Sequence, residues 1–125
     1  MKTRPPYILK IDGCIHDGWL VIKDYQTSFD QQYLYYVLSS DMVKSQYIAM
    51  AAGSSVQNLN KEKVSNVALY KPDIDEQRCI AEALSDMDEE IVNCESQLIK
   101  YRDIKQGVMS ELLTGRIRLI DKEDA

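Results

Sequence analysis

The stretch Ile80-Ala81-Glu82-Ala83-Leu84-Ser85-Asp86-Met87-Asp88-Glu89-Glu90-Ile91-Val92-Asn93-Cys94-Glu95-Ser96-Gln97-Leu98-Ile99-Lys100-Tyr101 sets apolar residues at alternating steps of four and three. The rhythm continues through Lys105, Val108 and Leu112. Written as heptads, one core position holds Ile80, Met87, Cys94, Tyr101 and Val108, and the other holds Leu84, Ile91, Leu98, Lys105 and Leu112. Nine of these ten slots are apolar or thiol and one is charged, which is the pattern of a coiled-coil seam. A single charged core residue fixes register or orientation at some expense of stability.

The helix has clear limits. Pro72 stands just before its start, and Asp73 with Glu76 has the spacing of a capping box. From residue 74 to residue 113 there is no proline, and Gly107 is the one glycine. At a rise of about 1.5 Å per residue such a helix is roughly 60 Å long. A compact chain of this length has a radius of gyration of only about 14 Å. The helix is therefore expected to project and to need a partner; the plainer reading is an apolar stripe that packs on its own domain.

Acidic residues gather early in the helix (Asp75, Glu76, Glu82, Asp86, Asp88, Glu89, Glu90) and basic ones follow late (Lys100, Arg102, Lys105, Arg116, Arg118). This order complements the helix dipole. It also lets two such helices attract when they run antiparallel.

Upstream of Pro72 the pattern predicts a small mixed domain. Tyr7-Ile8-Leu9-Lys10-Ile11-Asp12 reads as a short strand, Asp12-Gly13 and Asp17-Gly18 as turns, and Trp19-Leu20-Val21-Ile22 as a buried strand. Asp30 caps a predicted helix whose apolar face is Tyr33, Leu34, Val37 and Leu38. A second helix is predicted over 42–51 with Val43, Tyr47 and Met50 inside, then a polar loop, then a strand over 64–70. The expected fold class is α+β: a small mixed domain followed by one long projecting helix that pairs antiparallel with a partner helix.

Composition narrows the functional classes. The 125 residues carry a net charge of −5. Residues 1–70 hold seven basic and six acidic side chains, whereas 71–125 hold eight and fourteen. Non-specific nucleic-acid binding runs on phosphate neutralisation, so bulk charge does not hold this chain on DNA. A DNA role needs a local site in the first half, or partners that supply the positive field. No apolar run reaches the roughly 18 residues a bilayer requires, and the amino-terminal residues lack the apolar stretch of a secretory signal. A soluble, cytoplasmic protein with no membrane contact is expected. Cys14, Cys79 and Cys94 are odd in number, which points to reduced and mostly buried thiols.

The most polar stretch of the small domain contains Ser54, Ser55, Gln57, Asn58, Asn60, Lys61 and Lys63. Asn and Gln can read adenine through two hydrogen bonds and Lys can contact phosphate. With Lys10 these are the candidate DNA-binding residues; the plainer reading is a cap-and-turn loop between helix and strand. Tyr33, Tyr35 and Tyr36 could stack on bases, but core packing suits Tyr33 and Tyr36 better. Asp12, Cys14 and His16 alternate, with Asp17 nearby, and a strand would set them on one face. One His and one Cys without a second cluster fit core and turn roles better than metal ligation. No nucleophile-base pair, phosphate-binding loop or catalytic carboxylate pair can be assembled. No metal, no cofactor and no catalytic residue is expected.

Four pieces resemble the specificity subunits of type I restriction-modification systems. The run Pro72-Asp73-Ile74-Asp75-Glu76-Gln77-Arg78-Cys79-Ile80-Ala81, with Leu84 following, is similar to the start of that family's conserved helix. Lys105-Gln106-Gly107-Val108-Met109-Ser110-Glu111-Leu112-Leu113-Thr114-Gly115-Arg116-Ile117-Arg118-Leu119 resembles its end. Tyr33-Leu34-Tyr35-Tyr36 and Gly53-Ser54-Ser55-Val56-Gln57-Asn58-Leu59-Asn60 resemble the second half of a target recognition domain. The resemblance implies a subunit that reads a split DNA sequence through two recognition domains held apart by two antiparallel helices. It implies modification (methyltransferase) and restriction subunits as partners, and no chemistry in the chain itself.

On that resemblance, residues 1–71 are expected to be a partial target recognition domain, 72–115 the spacer helix and 116–125 a tail. The family's recognition domains are longer and its complete subunits have two helices. A carboxy-terminal fragment or half-subunit is therefore expected, rebuilding the symmetry of a whole subunit by homodimer formation. The competing expectation is an assembly or decoy protein that pairs through the helix and binds no DNA alone.

Overall fold

A computed structural model of the chain describes residues 6–16, 18–52 and 61–120. It contains four helices in the order α1 (Gln31–Ser39), α2 (Asp41–Ala52), α3 (Lys61–Ser65) and α4 (Ile74–Leu113). The chain divides into two compact units, Met1–Leu84 and Ser85–Ala125.

In the first unit, α1 starts where Asp30 leaves the helix at φ −67° and ψ 138° and its carboxylate accepts from the N–H groups of Gln32 and Tyr33, both at 3.0 Å. Two otherwise unpaired donors of the first turn are thereby satisfied. Ser40 serves two helices at once. Its Oγ donates to the Val37 carbonyl at 2.6 Å and accepts from the Val43 N–H at 3.4 Å, closing α1 and opening α2. The core is small: Tyr33, Leu34, Val43, Ala51 and Ala81 are the buried apolar residues. Tyr47 and Met50, expected inside, are half-buried.

The expected strands do not form among the described residues, so the observed class is helical rather than α+β. A strand exists only as one side of a ladder. Segments 7–12 and 19–22 have β-rich composition, yet no described segment forms a ladder with them: the Trp19 N–H bonds to the nearby His16 carbonyl at 3.1 Å, and Tyr7, Ile11 and Trp19 stand exposed. The third expected strand, 64–70, begins inside α3. Beyond it, the Gln46 side-chain amide takes the place of a neighbouring strand. Its Nε2 donates to the Ala68 carbonyl at 3.0 Å and its Oε1 accepts from the Ala68 N–H at 2.9 Å.

α4 begins where Asp73 accepts from the N–H groups of Asp75 and Glu76, at 3.1 and 2.9 Å. It ends on Gly115, whose φ of +73° is open to glycine without strain. The Arg116 N–H reaches the Glu111 carbonyl at 3.1 Å and the Gly115 N–H reaches Leu112 at 3.2 Å, the paired bonds of a Schellman stop. Arg116 adds an ion pair to Glu111 at 3.0 Å. No helix among the described residues is long and apolar enough to cross a membrane.

Candidate functional site

The seam residues lie on α4 in two settings. Within the first unit, Ile80 and Leu84 are half-buried, because Gln77 and Ala81 on the adjacent face turn into the core. In the second unit Met87, Ile91, Cys94, Leu98, Tyr101, Lys105 and Val108 are exposed and Leu112 is half-buried. None of the described residues from 85 to 120 is buried. Toward its carboxy end the stripe widens. Ile104, Met109 and Leu113 join Tyr101, Lys105, Val108 and Leu112 around one open groove whose lining is mainly apolar. An apolar stripe of this extent lies open along one helix.

All three cysteines are free and exposed, which corrects the expectation of buried thiols. Cys79 and Cys94 sit on outward positions of α4, and Cys14 lies in the extended amino-terminal segment, where no core forms around it.

Among the candidate DNA-binding residues, Ser54, Ser55, Gln57, Asn58 and Asn60 lie outside the described residues. Lys61 and Lys63 occupy α3, with Lys61 exposed and Lys63 half-buried, and Lys10 is exposed in the extended segment. Tyr33 is buried. Its hydroxyl donates to the Tyr70 carbonyl at 2.7 Å, and its ring stacks on Phe29 at 6.5 Å between centroids. Burial raises the Tyr33 pKa above its ordinary value, reinforced by Tyr70 and Glu76 nearby. Burial likewise raises that of Tyr47. Tyr35 and Tyr36 are half-buried and meet edge to face at 5.4 Å.

Asp12, Cys14 and His16 are exposed, and His16 Nδ1 accepts from the Gly18 N–H at 3.1 Å in a local turn. Asp17 lies outside the described residues. No group of three potential metal ligands is found among the described residues.

One residue with a large structural role escaped the sequence reading. Gln77 is 1% exposed, and its amide holds three backbone groups. Nε2 donates to the carbonyls of Pro72 at 2.9 Å and Ser28 at 3.2 Å, and Oε1 accepts from the Asp30 N–H at 2.9 Å. The cap of α1 and the first turn of α4 are therefore one hydrogen-bonded piece. Beside this junction, Tyr25, Phe29, Gln31, Ile74 and Arg78 line an open hollow of about 410 Å³, where Lys71 also lies over the Phe29 ring at 5.5 Å.

Comparison with known proteins adds the family. Residues 11–101 match the model described as type I restriction modification DNA specificity domain. The type I restriction enzyme MjaVIII specificity subunit of Methanocaldococcus jannaschii is 28% identical over 90 residues, covering 72% of this chain and 21% of that protein. The putative type I restriction enzyme MjaX specificity subunit of the same organism is 27% identical over 106 residues, covering 85% of this chain and 24% of its own length. The chain thus spans about a fifth to a quarter of the curated relatives it matches. No solved structure matches it.

Proposed function

The chain belongs to the type I restriction-modification DNA specificity domain family, and from that premise we propose that it is a non-catalytic DNA sequence-recognition module of a type I restriction-modification complex. It acts as a fragment or half-subunit. Residues 1–71 serve as a partial target recognition domain and 72–115 as the spacer helix. The seam of α4 pairs with a second copy and docks the methyltransferase subunits, with restriction subunits joining that assembly in the cytoplasm. Lys10, Ser54, Ser55, Gln57, Asn58, Asn60, Lys61 and Lys63 are the candidate DNA contacts. The observation that carries this reading is the family match across α1, α2, α3 and the first two-thirds of α4.

A gel shift with cognate target DNA at low salt, with and without the modification subunits, tests it. The expected result is a sequence-dependent shift once those subunits are present, because this acidic chain by itself lacks the positive charge that phosphate binding draws on. Absence of a shift under both conditions defeats the DNA reading.

The net charge of −5 favours a second reading. In it the chain is an assembly or decoy protein that pairs through α4 and binds no DNA alone. Inhibition of methylation by a complete specificity subunit, without any shift by this chain, selects that reading.

A further inference from the structure

The open hollow of about 410 Å³ beside the Gln77 junction lies wholly within the first unit. That volume suits a small ligand. Its surroundings combine a polar edge, an apolar wall and a positive rim.

Tyr25 and Gln31 make the polar edge. The Gln31 Nε2 donates to the Tyr25 hydroxyl at 2.7 Å, which holds the two groups side by side. The Tyr25 O–H is then left to donate and the Gln31 Oε1 to accept, and neither has a further partner among the described residues. A donor beside an acceptor complements the Watson–Crick edge of a nucleobase, where a donor and an acceptor also stand next to each other. That edge is open to a protein only when the base is unpaired.

Phe29 and Ile74 supply the apolar wall. Arg78 follows Ile74 by one turn on the same face of α4, so its side chain leans back over that wall. Its contact with Asp75 is long, at 3.4 Å, and exposed on both sides, which leaves guanidinium N–H groups for an anion. The Lys71 ammonium, over the Phe29 ring at 5.5 Å, adds a second positive charge. The carboxylates close by are already engaged. Asp30 accepts from the Gln32 and Tyr33 N–H groups, and Asp75 meets Arg78.

We propose that this hollow binds one unpaired nucleotide. Its base edge bonds to Tyr25 and Gln31, its flat apolar body lies against Phe29 and Ile74, and its phosphate meets Arg78 and Lys71. A free mononucleotide and an unpaired nucleotide of a DNA strand share this chemistry. The site goes beyond the DNA reading above, which the gel shift tests separately.

Calorimetric titration of the full chain with thymidine monophosphate tests the proposal. Two further ligands each lack one contact: thymidine has no phosphate, and the N3-methylated monophosphate has a blocked base edge. Each should bind at least roughly fivefold more weakly than thymidine monophosphate, the loss expected for one hydrogen bond or ion pair. Gln31→Leu should bind thymidine monophosphate and its N3-methyl form about equally. Arg78→Ala should weaken binding of the monophosphate roughly fivefold and leave that of thymidine in place. Both side chains are exposed, so the thermal midpoint of each variant should match the parent.

Competition then separates the two sources. A single-stranded thymidine oligonucleotide that displaces the monophosphate at lower concentration than the monophosphate itself assigns the site to a DNA strand. One that does not displace it assigns the site to a free nucleotide. A duplex that competes as well as the single strand overturns the proposal. Absence of any binding of thymidine monophosphate, or equal binding of all three ligands, also overturns it and leaves the gel-shift result untouched.

Discussion

Up to Leu84, a small amount of apolar surface is closed off by polar side chains acting as fasteners. Beyond Leu84, a larger amount of apolar surface is left open on one helix. In the first region Val43 is fully buried, Gln77 ties three backbone groups together, and Gln46 and Tyr33 hold residues 68–70 in place. In the second region the helix satisfies its own backbone and closes with a Schellman stop, yet Met87, Leu98, Tyr101 and Val108 face water. Hydrogen bonds along a helix are internal, so a helix can be complete as secondary structure while its side chains lack a core. The lesson is that the two regions differ in what closes their apolar surface: polar fasteners in the first, nothing within the unit in the second.

The largest expected effect breaks the second region alone. Leu98→Asp places a charge in the middle of the seam, and burying it in a paired helix costs about 3 kcal/mol or more per copy. A dimeric parent should become monomeric by light scattering, while the thermal transition of the first region stays in place. Loss of both together would show that the regions are not independent.

Next in size, Gln77→Ala should destabilise the first region by about 3 kcal/mol, seen as a lower denaturant midpoint. It strands the Asp30 N–H and two carbonyls in a buried site and leaves a void. Dimerisation should survive at concentrations where the first region remains folded.

Tyr33→Phe comes third, at about 1 kcal/mol, through loss of the hydrogen bond to the Tyr70 carbonyl. Its pH signature is more telling. Burial raises the folded-state pKa of Tyr33 above the usual 10, so its contribution is fully present below pH 10 and is lost as pH climbs through the folded value. Alkaline titration of stability should therefore be flatter in the Phe variant. An unchanged alkaline slope would assign the decline to Tyr47 instead, whose pKa burial also raises.

The smallest change sharpens the contrast from the surface. Lys44→Ala removes the ion pair to Asp41 at 3.4 Å, where the Asp41 side chain is 98% exposed. Pairs of this kind contribute about 0.5 kcal/mol or less, so the unfolding midpoint should barely move.

Particular residues show what could be read in advance. Asp30 and Asp73 announce their helices because a short carboxylate before an apolar period has one obvious task, and both caps are observed. The 74–113 helix was legible end to end for the same reason: its signals are local and repeated. Gln77 was not legible, since a glutamine in a first helical turn reads as surface until the fold turns it inward. The expected strands at 7–12 and 19–22 illustrate the opposite error. Their β-branched and aromatic content was read correctly, but a ladder depends on a second segment that composition does not supply.

By itself the amino-acid order determined α1, α2 and α4, the Asp30 and Asp73 caps, the apolar period of α4 and the family, all of which rest on neighbours within a few turns of one another; α3 stands where a loop and a strand were expected. Tertiary structure alone decided that Gln77 is a buried fastener, that Gln46 stands in for a strand beside Ala68, and that the three cysteines are open to solvent. Those outcomes depend on which surfaces meet across tens of residues, and packing over that distance is not written in any local period.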